Sequence, residues 1–318
     1  MIEYVKGFDN ILRNKDRYKI NMDKRLEPQL KNYDEVKAIL KRVDVPFTLA
    51  DGRQVDTLLI YVSPDGDPDP LTQLFATIKN GILTNFVLRC SEIEKKLGLK
   101  KEGAAEKLFE KSIRKLSQHT AKGELGELIM FTLLDVYLEA PKLLSKMSFK
   151  TSRKMPVFSA DGVHGQFYDG KFKLFLGESK LYKDFKSGAT EAASSIKKAA
   201  DKYQEEFDLI ESFIDFPNLD EEHEDLLLEI LNPLSNPDFE EVLHNSCFIG
   251  FAKPELIGCL PSEFEAAYLK IAGEYIGDFY RKLEGQLLPV NKTVLMILPF
   301  KCVDDLVAQF IKYMDIKE

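Results

Sequence analysis

Three charged side chains, Asp161, Glu178 and Lys180, lie in a stretch whose pattern would bring them together at one end of a β-hairpin. Asp169-Gly170 separates two alternating runs and is typical of a two-residue type I′ turn. Counting pairs outward from this turn places Asp161 directly opposite Glu178, where Cβ atoms are about 4.5–5.5 Å apart. Lys180 shares the face of Glu178 because side chains alternate along a strand. Two carboxylates ending an apolar strand are costly to bury unless a metal or a substrate uses them.

A third acidic position is expected on the helix that precedes the hairpin. Glu127 begins an apolar stripe at helical spacing, and Glu124 lies one turn earlier on the same face. Gly123 and Gly126 would allow a close backbone approach. Glutamates in a first helical turn are also favoured by the helix dipole without any chemistry. The position of Glu127 upstream of the acidic hairpin makes it the expected third carboxylate, with Glu124 as its substitute.

These side chains predict a metal site that acts on phosphate esters. The carboxylates of Asp161, Glu178 and Glu127 are hard oxygen ligands suited to Mg²⁺ or Mn²⁺. A metal ion held there can bind a phosphodiester oxygen and lower the pKa of a bound water. Lys180 would orient that water or neutralise charge developing on phosphorus. The predicted reaction is metal-dependent hydrolysis of a phosphodiester, with Glu127, Asp161, Glu178 and Lys180 as the catalytic residues.

The acid-x-Lys triplet alone is weak support, since it occurs elsewhere in the chain. Only the triplet at Glu178 ends an alternating apolar strand and faces a second carboxylate. As a structural feature it could also be a surface ion pair worth about 0–1 kcal/mol. The other four triplets begin at Glu35, Glu94, Asp184 and Asp315.

The order helix, three strands, helix, strand around the motif predicts an α/β fold, with a sheet and helices on its faces. Strands joined through the helical crossover are expected to be parallel. Residues 1–100 are expected to form a mixed α/β region that docks a partner, with a hairpin around Asp51-Gly52 and a loop over 63–70, and residues 101–318 the domain that carries the site. The predicted helices cover 104–116, 123–138, 189–213, 262–283 and 303–314, and further strands cover 147–151, 246–251 and 293–298.

Composition limits the class of protein. The chain has 318 residues, of which 44% are hydrophobic and 30% charged, as in soluble globular proteins. No signal peptide or membrane span is predicted. The four cysteines show no C-x-x-C pairing, so we expect reduced thiols in a cytoplasmic protein and no zinc site.

The net charge of −8 gives no global attraction to nucleic acid. A local basic strip or a partner protein would have to bring DNA or RNA to the site. Eight lysines form a candidate strip, although solubilising surface lysines are the simpler interpretation: Lys171, Lys173, Lys180, Lys183, Lys186, Lys197, Lys198 and Lys202.

Three further polar positions near the motif are weaker candidates. His164 falls on the opposite face from Asp161, so we expect it to support the hairpin or touch nucleic acid but not to bind metal directly. Tyr182 could contact substrate or simply pack. Ser194 and Ser195 could reach a phosphate, but an ordinary polar helix face is the simpler interpretation.

The order Glu127, Asp161, Glu178-Ser179-Lys180 resembles the active-site pattern of the PD-(D/E)xK, restriction-endonuclease-like nucleases. Ala160 stands where that pattern has its proline. More narrowly, over roughly residues 105–200, the chain resembles the HamA family, effector nucleases of the bacterial Hachiman anti-phage systems. The segments that carry this resemblance are Gly123-Glu124-Leu125-Gly126-Glu127, Ser159-Ala160-Asp161-Gly162-Val163-His164 and Leu176-Gly177-Glu178-Ser179-Lys180-Leu181-Tyr182.

The resemblance implies a restriction-endonuclease-like core, Mg²⁺ (or Mn²⁺) as cofactor and DNA as substrate. It also implies a partner helicase, HamB, that restrains the nuclease until it senses aberrant DNA. Two alternatives stay open: a nuclease acting on RNA or on junctions, and a catalytically silent nuclease fold that serves as a binding subunit of a DNA-processing complex.

Overall fold

The computed structural model describes residues 26–63, 69–149, 159–168, 171–217 and 219–317. The predicted turn at Asp169-Gly170 and most of the loop over 63–70 lie outside these residues. The two strands of the predicted hairpin and the helices that flank them lie within these ranges.

Nine strands are present in the described ranges: β1 (Leu40–Val43), β2 (Phe47–Thr48), β3 (Gln54–Val55), β4 (Thr57–Val62), β5 (Lys142–Ser145), β6 (Gly162–Tyr168), β7 (Lys171–Tyr182), β8 (Leu243–Ala252) and β9 (Thr293–Phe300). The α-helices of the same ranges are α1 (Tyr33–Ile39), α2 (Pro70–Thr77), α3 (Leu83–Val87), α4 (Cys90–Gly98), α5 (Ala104–Ile113), α6 (Ala121–Tyr137), α7 (Lys146–Phe149), α8 (Phe185–Phe213), α9 (Glu221–Leu231), α10 (Phe239–Val242), α11 (Pro254–Ile257), α12 (Pro261–Gly285) and α13 (Val303–Met314). A π-helical turn, Ile78–Ile82, joins α2 to α3, and a 3₁₀ turn, Val290–Lys292, precedes β9.

Seven strands form one mixed sheet in the order β1-β4-β9-β8-β7-β6-β5. The four central strands, from β4 to β7, run parallel, and the strands at both edges are antiparallel to their neighbours. All eight residues of β9 are buried, as in a parallel strand covered on both faces. The predicted α/β fold is confirmed, including the order α6, β5-β6-β7, α8, β8.

Helices cover both faces of the sheet. On one face α2, α3, α6 and α13 pack against side chains of β7, β8 and β9, among them Phe175, Phe248 and Met296. On the other face α8 and α12 pack against the alternate side chains, including Ile249 and Leu295. The second half of α8 continues along β7, where Leu174 and Leu176 are buried. This face of β7 also carries Glu178 and Lys180, because they continue the same alternation.

One predicted strand position is wrong and one predicted hairpin is confirmed. The strand expected over 147–151 lies earlier, as β5, and residues 146–149 are helical, while residues 150 and 151 lie outside the described ranges. The hairpin around Asp51-Gly52 is present, since β2 and β3 pair in antiparallel fashion, but the longer strand that follows, β4, pairs with β1 and β9 in the large sheet. Local alternation does not select the partners of a strand such as β4.

The region over 1–100 therefore shares the sheet with the rest of the chain in its described part, through β1 and β4. The division at residue 100 and the docking role of this region stay predictions. The cysteines Cys90, Cys247, Cys259 and Cys302 are free thiols. None of the helices in the described ranges has both the length and the apolar composition that crossing a bilayer requires.

Candidate active site

Asp161 is the residue immediately before β6, and both its backbone and its side chain form hydrogen bonds with β7. Its N–H donates to the carbonyl of Gly177 at 2.8 Å. Its Oδ2 accepts hydrogen bonds from the Ser179 N–H at 2.9 Å and from Ser179 Oγ at 3.3 Å. These bonds fix the carboxylate beside the segment that carries Glu178 and Lys180.

The hairpin register is the predicted one as far as the ladder extends. Seven pairs run from Tyr168–Lys171 to Gly162–Gly177. Asp161 is one residue beyond the last pair, and its N–H bonds to Gly177 instead of forming a ladder pair with Glu178. Asp161 and Gly162 thus both face Gly177, which is a one-residue irregularity of the β-bulge kind. The predicted direct opposition of Asp161 and Glu178 is replaced by this bulge.

Glu178 and Lys180 project from the same face of β7, as predicted. Lys180 Nζ donates to Glu178 Oε1 at 2.6 Å, and only 4% of Glu178 is exposed. Burial raises the pKa of Glu178 above its ordinary value, and the charge of Asp161 adds to this, while Lys180 opposes it. Two neighbouring buried carboxylates can therefore both be ionised only if positive charges lie next to them.

Lys146, at the start of α7, is a site residue that the sequence did not predict. Its Nζ donates to Asp161 Oδ1 at 2.8 Å. Burial alone would lower the pKa of Lys146, but the charge and hydrogen bond of Asp161, with the charges of Glu127 and Glu178, raise it above its ordinary value. Lys146 was missed because the strand was predicted over 147–151, whereas it is β5. The pairing of β5 with β6 ends at Ser145–Gly162, and the next residue on each side is Lys146 and Asp161.

Glu127 approaches the site from the other face of the sheet. A Cβ at Gly126 would lie 3.3 Å from Ser179 Oγ and 3.4 Å from Leu181 Cγ, so α6 packs on the face of β7 opposite to Glu178. Glu127 is half-buried and its charge acts on Lys146. Within the described residues, no three acidic, histidine or cysteine side chains are close enough together to hold one metal ion.

Glu124 is engaged with the turn before α6. Its Oε2 accepts from the Ser117 N–H at 3.1 Å and its Oε1 accepts from Thr120 Oγ1 at 2.5 Å. Since these bonds hold the Glu124 carboxylate in the turn before α6, they favour Glu127 over Glu124 as the acid that faces the site.

Asp161 and Glu178 fit a magnesium ion by their chemistry. Mg²⁺ is usually held by one or two carboxylates, and waters and substrate phosphates complete its coordination. Glu127 stays a predicted ligand, because in the described part of the chain it forms no three-residue metal-binding cluster with the other two.

The three weaker candidate positions near the motif lie in the following surroundings. His164 is buried on the α6 face, with Nδ1 2.8 Å from the carbonyl of Ala140 and its ring centroid 6.0 Å from that of Phe131. Tyr182 lies under Lys122, whose Nζ is 5.6 Å from the ring centroid. Ser194 is exposed on α8 and Ser195 is half-buried.

The lysines of the candidate strip do not form one free basic surface. Lys183 pairs with Asp304 at 2.6 Å and Lys186 with Glu274 at 2.7 Å, while Lys197 pairs with Asp201. Lys171 is nine residues from Lys180 along β7, roughly 30 Å at the rise of an extended strand. Much of the strip is neutralised or distant from the site.

Comparison with known proteins gives one family. The model of the HamA family matches residues 37–314 of the chain. No curated protein matches it.

Proposed function

The chain belongs to the HamA family, and from this membership we propose that it is a metal-dependent DNA nuclease, the effector of a Hachiman anti-phage defence system. Membership of this family associates the protein with Hachiman defence. The nuclease activity, the metal and the partner are parts of the proposal.

The observation that carries the proposal is the pair of buried carboxylates with its lysine. Asp161 is 8% exposed and Glu178 4%, and Lys180 donates to Glu178. Burying two acids and the lysines that pair with them is expensive, so such a cluster at the end of a core strand supports a functional role. Carboxylates with a lysine beside them suit the metal-dependent phosphodiester hydrolysis that we propose.

Asp161 and Glu178 would hold Mg²⁺ or Mn²⁺, with Glu127 as the third acid. The metal would supply a water of lowered pKa and positive charge next to the phosphate. Lys180, whose side chain is 19% exposed, would orient the attacking water or neutralise charge on a phosphate oxygen. Ser179 positions the Asp161 carboxylate through its N–H and hydroxyl.

A larger partner that handles DNA fits the electrostatics of this protein. The net charge is −8, and several lysines near the site are paired with acids. A protein with this charge distribution gains little binding energy from phosphate neutralisation outside its site. We therefore include a HamB-like helicase in the proposal, as the subunit that delivers DNA and restrains cleavage.

One observation favours a second candidate function. Both carboxylates are already neutralised by lysines, and no three-acid cluster is present in the described residues. A catalytically silent nuclease fold that binds within a DNA-processing complex would show the same pairing. A nuclease that acts on RNA would share the site.

Removal of the charged groups tests the proposal. We expect Asp161→Ala and Lys180→Ala to reduce Mg²⁺-dependent DNA cleavage by about a hundredfold or more, because each removes a group that acts on the reacting phosphate. Cleavage of plasmid DNA is measured with the protein alone and with a HamB-like helicase added, and circular dichroism checks the fold.

Lys317→Ala is the matched control. Lys317 pairs with Asp315 in an acid-x-Lys triplet that is about four-fifths exposed, at 2.6 Å, so its loss should leave cleavage unchanged. Undiminished cleavage by the double variant Asp161→Ala/Lys180→Ala would refute the assignment of these residues. Cleavage of RNA but not DNA by the unaltered protein would favour the alternative substrate.

A further inference from the structure

Lys146 forms hydrogen bonds with Asp161 through both its backbone and its side chain. Its N–H donates to the Asp161 carbonyl at 3.2 Å, continuing the β5–β6 pairing past the end of β5. Its Nζ donates to Asp161 Oδ1 at 2.8 Å. The two side chains are 22% and 11% exposed, so this ion pair is largely shielded from water. A shielded pair of this kind is screened less by salt than a surface pair.

The Lys146 ammonium is surrounded by the acids that were expected to bind metal. The charges of Asp161, Glu127 and Glu178 all act on it and favour its protonated form. Glu127 belongs to α6, which packs on one face of β7, whereas Glu178 projects from the other face. The positive charge of Lys146 thus interacts with three carboxylates that come from different parts of the chain. The same surroundings would attract a divalent cation.

We propose that Lys146 is a competing cation, whose ammonium holds the position at Asp161 that a divalent metal takes when the site is loaded. This inference rests on the proposed function, because it assumes a metal at Asp161. Metal binding then requires the Lys146 side chain to leave Asp161 Oδ1. The apparent metal affinity is the intrinsic affinity multiplied by the fraction of molecules in which the lysine has left Asp161.

Lys180 does not have this role. It lies two residues from Glu178 on the same strand, and its Nζ bonds to that carboxylate on the face away from α6. Lys146 comes from the end of another strand and bonds to the opposite member of the acid pair. Its flexible four-carbon stem lets the ammonium move without a change in the backbone. Lys146 therefore controls access of metal to Asp161, while Lys180 stays beside Glu178.

Binding of Mn²⁺ to the full chain, without DNA, tests the inference apart from catalysis. Free Mn²⁺ is measured by electron paramagnetic resonance during titration of the protein. We expect Lys146→Met to bind Mn²⁺ at least about tenfold more tightly than the unaltered protein, a difference of about 1.4 kcal/mol. Lys146→Arg keeps the charge and a donor, so its affinity should stay at the weak level of the unaltered protein.

Two further variants separate the explanations. Lys122→Met removes an exposed positive charge that stacks over Tyr182, and its effect on Mn²⁺ affinity should be less than about twofold because that charge is screened by solvent. Asp161→Asn should abolish the binding site, also when combined with Lys146→Met.

The outcomes distinguish the inference from the proposed function. Equal Mn²⁺ affinity of Lys146→Met and the unaltered protein, with loss of binding in Asp161→Asn, would overturn the competing cation and leave the metal site in place. Mn²⁺ binding that does not depend on Asp161 would overturn both. Tightening in Lys122→Met as large as in Lys146→Met would show a general charge effect and refute displacement at Asp161.

Discussion

His164 is a buried imidazole whose surroundings keep it neutral. Only 1% of the residue is exposed, and its Nδ1 is paired with the Ala140 carbonyl. Burial lowers the pKa of His164 to about 4, and the nearby charge of Lys142 acts in the same direction, while the bond to Ala140 opposes it. The side chain holds β6 against α6 and the residues that follow it, through Phe131 and the Ala140 carbonyl.

We expect His164 to make the protein less stable in acid. Its pKa is lower in the folded chain than the ordinary 6.5, so the unfolded chain binds the proton first as the pH falls. The contribution is fully present above pH 6.5 and is lost between pH 6.5 and about 4, by about 3 kcal/mol in the free energy of unfolding. Urea unfolding at a series of pH values measures it.

His164→Gln provides the comparison, since glutamine can still donate an N–H but does not titrate. The stability difference between the two proteins should shrink as the pH falls through this window. Parallel pH profiles would show that His164 is not the titrating group. Asp135 must be considered beside it, because burial raises its pKa to about 6 and its contribution has the opposite sign.

At the scale of elements, the contact between α6 and β7 brings the helix glutamate to the site. Gly126 allows this contact, since a Cβ there would lie 3.3 Å from Ser179 Oγ. A Cβ at Gly123, one turn earlier, would meet no atom of another element within 4 Å, so that side of the helix is open. The expectation of close approach is therefore confirmed at Gly126 and wrong at Gly123.

This pair of glycines gives a matched test of the contact. We expect Gly126→Val to lower the free energy of unfolding by about 1–3 kcal/mol, because the added Cβ and its two methyl groups overpack the space against Ser179 and Leu181. Gly123→Val should change stability by less than about 0.5 kcal/mol, since valine is no worse than glycine in a helix. Denaturant unfolding measures both, and equal losses would contradict the close packing at Gly126.

Elements with strong local signals could be predicted from sequence, and those defined by distant partners could not. The run from Val303 to Met314 gave the observed helix because its apolar period and flanking residues are local. The hairpin register was predictable because the turn fixes it. β5 was misplaced, since four buried residues have no alternation to mark them. That error concealed Lys146, which no motif identifies.

For the whole molecule, the sheet joins parts of the chain that are far apart in sequence. β4 pairs with β9 through Thr57–Leu295, Leu58–Met296 and Leu59–Ile297. β1 then pairs with β4 and closes that edge. Such pairing leaves no local signal, because each strand alone is only a short apolar run. The division of the chain at residue 100 was inferred from composition and motif position, which do not report strand partners.

We expect residues 101–318 not to fold on their own. Removal of residues 1–100 takes away β4 and exposes β9, a fully buried apolar strand that would then be an unprotected edge. It also removes core side chains that are at most 4% exposed, namely Leu58, Leu59, Ile60, Leu74 and Phe75. At about 1.5–3 kcal/mol each, these five contribute an amount comparable to the whole stability of a typical domain, about 5–15 kcal/mol.

Expression of the two pieces tests this expectation. Residues 101–318 alone should be aggregated or lack a cooperative unfolding transition by circular dichroism. Co-expression with residues 1–100 as a separate chain should restore a soluble complex, because β4 can still pair with β9. A soluble fragment 101–318 with a cooperative transition would show that the N-terminal region is an independent unit, free to serve as a docking module. Failure of co-expression as well would point to folding that needs the intact chain, since loop closure brings β4 to β9 at lower entropic cost than association of two chains.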